Sequence, residues 1–183
     1  MRLLVTGSSG LIGSYFIRLA NNYEIYAAYN SNKPFNNIPI RLDLADADSI
    51  KEIINNIRPD AIIHFAAFTD VDRCEKDKEY AKMINADSLK VIAKYANDIG
   101  SYLLHISTDY IFDGSKGNYK EDDKPNPINY YGLTKLEGEY NVKAYAKDWC
   151  IARISSPYGL HERKKTFPPF IICLLYTSDA ADE

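Results

Sequence analysis

The stretch Val5-Thr6-Gly7-Ser8-Ser9-Gly10-Leu11-Ile12-Gly13 constrains this chain more than any other. An apolar run, Leu3-Leu4-Val5, leads into it, and Leu11-Ile12-Gly13-Ser14-Tyr15-Phe16-Ile17 leads away from it. The reading is strand, tight glycine turn, helix. Three glycines at a spacing of three suit a dinucleotide pyrophosphate. Gly7 permits the turn, Gly10 lets the backbone approach the phosphates, and Gly13 lets helix pack on strand. The start of the helix then offers free N–H groups and the positive end of its dipole to the anion. The pattern is Gly-x-x-Gly-x-x-Gly, not the commoner Gly-x-Gly-x-x-Gly. A glycine-rich turn without a ligand is the competing reading, and the strand before and helix after weigh against it.

Strand and helix patterns alternate along the rest of the chain. Leu11 to Asn21 reads as a helix with Ile12, Phe16, Leu19 and Ala20 on one face, and Glu24 to Tyr29 as a second strand. Asn30 to Pro34 is turn-forming, and Ile38 to Leu42 a short third strand ending at Asp43. Asp46 to Ser49 caps a helix carrying Ile50, Ile53, Ile54 and Ile57, which Pro59 stops. Ala61 to Ala66 is a continuous apolar strand, as expected when both faces are covered. A long helix is predicted from about Glu79 to Asn97, ended by Gly100, and Tyr102 to Ser107 is the fifth strand. A polar loop from Asp113 to Asn129, a helix from Tyr131 to Ala146 and a sixth strand, Trp149 to Ile154, follow. Six strands joined by helices predict an α/β fold with a doubly wound parallel sheet, whose ligands lie beyond the carboxyl ends of the strands. The glycine turn, Asp43, Ala66 to Asp72 and Ser107 to Asp113 all fall there.

Composition narrows the class. Of 183 residues, 46% are hydrophobic and 26% charged, which describes a globular chain. Apolar runs are too short for a membrane helix, and Met1-Arg2 leads straight into a strand, so a cytoplasmic protein is expected. Cys74, Cys150 and Cys173 have no metal or redox spacing, and no metal site is expected. Residues 173–183 resemble the in-frame translation of a sequencing adapter. They are read as a non-native tail on one domain, residues 1–172, whose natural chain continues further. The tail's acids, Asp179, Asp182 and Glu183, account for the whole net charge of −3, so neither a nucleic-acid nor a membrane partner is expected.

The chemistry centres on Tyr131-Gly132-Leu133-Thr134-Lys135, which sets Tyr131 and Lys135 on one helical face. A cation beside a phenol stabilises the phenolate and lowers its pKa, and the same lysine can hold a nucleotide ribose. That suits a tyrosine that protonates a carbonyl oxygen as hydride reaches its carbon. Tyr130 competes for the role but has Thr134 four residues on. Ser107 and Thr108 offer hydroxyls to the same carbonyl or serve as loop caps. His64 and His105 sit in apolar strands and read as core histidines, and His161 lies in a basic, solvated run.

These elements resemble the extended short-chain dehydrogenases/reductases. The resemblance is carried by Thr6 to Gly13, Asp43-Leu44, His64 to Ala67, Asn85, Ser107-Thr108-Asp109 and Tyr131 to Lys135. Ser107 to Gly114 and Pro127 to Glu139 are similar to the dTDP-4-dehydrorhamnose reductase family in particular. The resemblance implies a Rossmann fold, with Thr108, Tyr131 and Lys135 as the catalytic residues. It implies coenzyme contacts from Gly7, Ser9, Gly10, Leu11, Ile12, Gly13 and Asn30, with Asp43 and Leu44 at the adenine. Ala66, Ala67 and Thr69 would line the nicotinamide side, with Tyr131 and Lys135 completing it. Thr69, Thr108, Asp109, Tyr110 and Tyr131 would meet the substrate. The implied reaction is NAD(P)H-dependent reduction of a 4-keto nucleotide sugar by a homodimeric full-length enzyme. Ser156 stands where bacterial reductases of this type often carry a tryptophan. The substrate lobe is expected beyond residue 172, so this chain is expected to bind coenzyme weakly and not turn over. Two alternatives stand beside this. An epimerase or dehydratase of the same fold is one, although Asp109-Tyr110 replaces the Asp-Glu pair common in dehydratases. A non-catalytic regulatory subunit resembling that of methionine adenosyltransferase is the other. Strand two ends in Tyr29-Asn30-Ser31-Asn32-Lys33 with no acid to repel a 2′-phosphate, and Lys33 is placed to meet one, so NADP(H) is expected to be preferred with NAD(H) possible.

Overall fold

The computed structural model describes residues 1–34 and 37–160. Strands β1 (Arg2–Thr6), β2 (Glu24–Tyr29), β3 (Ile38–Arg41), β4 (Ala61–His64), β5 (Tyr102–Thr108) and β6 (Trp149–Ile154) form one parallel sheet in the order β3-β2-β1-β4-β5-β6. This is the doubly wound Rossmann-type arrangement anticipated above. The winding reverses between β1 and β4, and the crevice at that switch point is where such sheets bind ligands.

Register assigns the two faces. Leu4, Ile62 and Leu103 are partners across β1, β4 and β5. They pack with Ile50 and Ile54 of α2 (Ala47–Ile57) and with Leu89 and Ile92 of α5 (Ser88–Ile99). Leu3, Val5 and Ile63 point the other way and pack with Ile17 of α1 (Leu11–Leu19). Both faces of the sheet are therefore covered, which is why its central strands read as unbroken apolar runs rather than alternating ones.

Local signals set the helix ends. Asp46 caps α2 by accepting from the N–H groups of Asp48 and Ser49, both at 3.0 Å, and Arg58 closes it in the left-handed region before Pro59. Gly100, at φ 70°, ends α5. Asn129 accepts from Gly132 N–H at 2.8 Å and starts α6 (Tyr130–Tyr145), one residue earlier than predicted.

The larger departures from the predicted pattern are three. The first helix stops at Leu19 rather than Asn21, and β4 at His64 rather than Ala66. Beyond His64 the chain is drawn under the glycine turn, where a Cβ on Gly7 would lie 2.6 Å from Ala66 N. The predicted helix from Glu79 to Asn97 is α4 (Lys78–Lys82), a π-helical turn (Met83–Asp87) and α5, and a short helix α3 (Val71–Lys76) precedes them. The wider turn swings the Asn85 side chain inward. Its carboxamide accepts from Phe68 N–H at 2.8 Å and donates to Phe68 C=O at 3.0 Å and Thr134 Oγ1 at 3.1 Å. One buried amide thereby ties the segment after β4 to α6. The predicted tail, residues 173–183 with Cys173, and His161 lie outside the described residues.

Candidate active site

A cleft of about 970 Å³ opens at the carboxyl ends of β1, β4 and β5. Its floor at one end is the glycine turn. Gly7 adopts φ 66°, accessible to few residues but glycine, and its carbonyl accepts from Gly10 N–H at 2.9 Å. A Cβ on Gly13 would overlap the Gly7 carbonyl oxygen, so Gly13 serves the closeness of helix and turn. Ser8 is buried and anchors the turn to β2, its hydroxyl donating to Ala28 C=O at 2.8 Å. Among the described residues no side chain caps the start of α1: Gly10 makes no side-chain cap and the first turn has no acid. Gly10, Leu11, Ile12 and Gly13 line the cleft, so this helix start lies at its edge, a place suited to an anion.

The structure brings nearly all of the predicted site residues to this one cleft. Gly7, Ser9, Gly10, Leu11, Ile12 and Gly13 line it at the turn, and Asn30 and Leu44 on the β2–β3 side. Ala66, Ala67 and Thr69 line it after β4, and Thr108, Asp109, Tyr110, Tyr131 and Lys135 on the far side. Asp43 does not line it. Its carboxylate accepts from Ala45 N–H at 2.9 Å and belongs to the turn after β3, leaving Leu42 and Leu44 as the lining residues. Asn30, Ser31 and Asn32 line the cleft while Lys33 is exposed and does not. Tyr130 is also outside it: its N–H donates to Glu75 at 2.6 Å and Lys78 lies over its ring.

Tyr131 is 9% exposed, and burial pushes its phenol up to about 12, with a hydrogen bond from Thr108 pulling the other way. The lowered phenol expected from a neighbouring cation is therefore not what the structure holds. The Lys135 amine instead donates to Ile106 C=O at 2.8 Å and lies 3.3 Å from His105 Nε2. Burial lowers Lys135 to about 7, against the opposing pull of Glu139 one helical turn on. Thr108 takes the predicted capping part. Its hydroxyl accepts from Tyr110 N–H at 3.2 Å, capping the 3-10 turn Asp109–Ile111, donates to Asp109 Oδ1 at 3.2 Å, and interacts with the Tyr131 phenol. Tyr110 packs edge-on against Tyr131 at 5.7 Å.

Sequence reasoning passed over the lining residues Phe68, Tyr80, Ile84 and Pro157, while Ser156, noted above for standing where related reductases often carry a tryptophan, does line the cleft. It also passed over the bidentate pair of Arg153 with fully buried Glu139, at 3.0 and 2.8 Å. A Glu one turn beyond the Lys, with an Arg in the next strand, is the pattern that would have found it. Among the described residues no cluster of His, Cys, Asp and Glu is arranged to hold a metal, and no helix is long and apolar enough to cross a membrane.

The chain is similar to known proteins over nearly its whole length. A sequence model of the family described as RmlD substrate binding domain matches residues 1–180. The probable low-salt glycan biosynthesis reductase Agl14 of Haloferax volcanii is 36% identical over 163 residues, covering 87% of this chain and 54% of that protein. Methionine adenosyltransferase 2 subunit beta of Danio rerio is 35% identical over 165 residues, covering 88% and 50%. Among solved structures, a hypothetical dTDP-4-dehydrorhamnose reductase from Sulfolobus tokodaii matches with a TM-score of 0.85 at 46% identity, covering 93% of this chain and 60% of that one. The dTDP-4-dehydrorhamnose reductase of Bacillus anthracis, in complex with NADP, matches with a TM-score of 0.85 at 34% identity, covering 94% and 59%. The chain thus spans about half the length of the curated relatives it matches.

Proposed function

Since the chain belongs to the family of the RmlD substrate binding domain, we propose that it is the coenzyme-binding half of a reductase that converts a 4-keto nucleotide sugar to the 4-hydroxy sugar. The observation that carries this reading is one continuous cleft with an uncapped, glycine-built anion site at one end and Thr108, Tyr131 and Lys135 at the other. The residues fit a nicotinamide dinucleotide: Gly7 and Gly13, where a Cβ would overlap neighbouring backbone, keep the turn tight beside the cleft, and about 970 Å³ accommodates a molecule of that size. The glycine turn would hold the pyrophosphate, Leu42 and Leu44 the adenine, and Ala66, Ala67 and Thr69 the nicotinamide side. When bound, the reduced coenzyme supplies a hydride.

This chain's residues supply the proton. With its phenol at about 12, Tyr131 stays protonated at neutral pH and acts as an acid. Its proton passes to the substrate oxygen as the carbonyl carbon gains hydride, and the O–H bond of Tyr131 breaks to leave a phenolate. In its ammonium form Lys135 returns a proton to that phenolate, is left as a neutral amine, and recovers its proton from solvent. Thr108 hydrogen-bonds the phenol and orients it. The relatives are longer than this chain, which matches about half of each, and the reading places the sugar-binding lobe in the part of such a protein that lies beyond these residues. A lack of turnover by these residues alone is part of the proposal.

The coenzyme preference proposed is NADP(H), supported by the absence of an acid among Asn30, Ser31 and Asn32 and by the NADP complex of the Bacillus anthracis relative. The likeness to a methionine adenosyltransferase subunit favours a second reading, a coenzyme-binding regulatory subunit. Assay of the full-length protein on dTDP-4-keto sugars with NADPH separates the two. Turnover abolished by Tyr131→Phe supports the reductase, and co-purification with a methionine adenosyltransferase without turnover supports the subunit.

A further inference from the structure

Beneath the cleft the sheet carries a polar row where an apolar one would pack better. The register that aligns Leu4, Ile62 and Leu103 aligns Thr6, His64 and His105 two residues later, so these too face α5 and α6. His64 is 1% exposed and His105 fully buried. Thr6 Oγ1 lies 2.8 Å from His64 Nδ1, the two imidazoles are 5.5 Å apart, and His105 Nε2 lies 3.3 Å from Lys135 Nζ. Each ring keeps one buried nitrogen without a partner among the described residues, His64 Nε2 and His105 Nδ1. Leaving such atoms unpaired destabilises a core. Packing alone therefore does not account for two histidines here. The row's ends do, because Thr6 and Lys135 both line the cleft.

We propose that His105 is a positioning residue for Lys135, its Nε2 accepting from the lysine ammonium, with His64 fixing the His105 ring from behind. The proposal rests on the reading of the cleft as a coenzyme and tyrosine site. An ammonium on four methylenes has three N–H groups and wide freedom. Ile106 C=O takes one and His105 a second, leaving the third for the cleft. With only Ile106 as an anchor the amine would swing. The acceptor must be an uncharged ring, and burial ensures this by lowering His64 to about 3 and His105 well below its usual value. The other ionisable groups facing the amine lie on α6 and β6. Glu139 raises the Lys135 pKa and is itself paired with Arg153, and the Tyr131 phenol lies one turn before Lys135.

The test follows Lys135 itself. The ¹³Cε signal of Lys135, assigned by its absence in Lys135→Met, is titrated by NMR in the wild-type chain, His105→Phe and His105→Gln. NADPH binding to each is measured by fluorescence. His105→Phe is expected to lower the Lys135 midpoint by about one pH unit or more and weaken NADPH binding about tenfold. His105→Gln, whose amide oxygen can accept, is expected to restore most of both. His105→Leu replaces the Phe variant should the larger ring prevent folding. A Lys135 midpoint unmoved in folded His105→Phe or His105→Leu overturns the assignment, as does His105→Gln behaving like His105→Phe. The titration needs no coenzyme. A shifted midpoint in a chain that never binds NADPH therefore removes the coenzyme reading alone, and NADPH binding with an unmoved midpoint removes the positioning role alone.

Discussion

Replacing Lys135 with methionine is expected to stabilise the chain while damaging its site, and the stabilisation is expected to depend on pH. Burial lowers the amine from 10.5 to about 7. The unfolded chain therefore binds more protons than the folded one between those values, and stability rises with pH across that window. A tenfold change in a protonation equilibrium corresponds to about 1.4 kcal/mol, so the buried lysine costs about 5 kcal/mol at pH 6 and about 2 kcal/mol at pH 9. Met removes that cost and fills similar space without a charge. Against it stands the loss of the 2.8 Å bond to Ile106 C=O, a buried acceptor worth ~1–3 kcal/mol. The net expectation is a gain of about 2–4 kcal/mol at pH 6 and roughly none at pH 9, a difference of ~2–3 kcal/mol between the two. Other titrating groups are common to both chains and cancel. Urea unfolding of wild type and Lys135→Met at pH 6 and pH 9 measures this directly. A stability difference that is the same at both pH values would show that Lys135 titrates as an ordinary lysine, and the buried-amine account would fail.

Tyr131→Phe in a full-length homologue is expected to reduce turnover by ~10²–10⁴-fold and leave NADPH affinity nearly unchanged, read by steady-state kinetics and fluorescence titration. Gly13→Ala drives a methyl into the Gly7 carbonyl and is expected to destabilise by about 1–3 kcal/mol and remove coenzyme binding, read by denaturation and titration. Glu139→Gln leaves Arg153 without its carboxylate. It is expected to cost about 2–4 kcal/mol, below the range for a fully buried pair because the Arg153 side chain keeps 18% exposure, read by thermal unfolding. Titration with both coenzymes is expected to show NADPH bound at least as well as NADH, and tenfold tighter NADH binding would contradict the reading of Asn30 to Asn32.

The parts of this fold that were legible in the sequence share a physical reason. Strands covered on both faces must be apolar throughout, so Ala61 to His64 and Tyr102 to Thr108 stand out as runs, and the caps Asp46 and Gly100 use side-chain and backbone chemistry local to the chain. The glycine turn was legible because each glycine meets a backbone atom rather than a side chain. What escaped depends on distant partners. A π turn is invisible in a periodic pattern until Asn85 is seen holding Phe68 and Thr134. The family resemblance implies Asp43 at the adenine, yet its carboxylate accepts from Ala45 N–H within its own turn and it does not line the cleft. The direction expected for the Tyr131 pKa was the reverse of that found, since spacing places Lys135 on the right face but does not reveal Ile106 and His105 as holders of its amine.

The central claim is that this cleft is a nicotinamide-dinucleotide site with Tyr131 and Lys135 at its chemical end. Backbone NMR of the chain during NADPH titration tests it most directly. The account expects saturable shifts at Gly7 to Gly13, at Ala66 to Thr69 and around Thr108, Tyr131 and Lys135, all removed by Gly13→Ala. No shifts at millimolar NADPH, or shifts confined to residues away from these three segments, would contradict it.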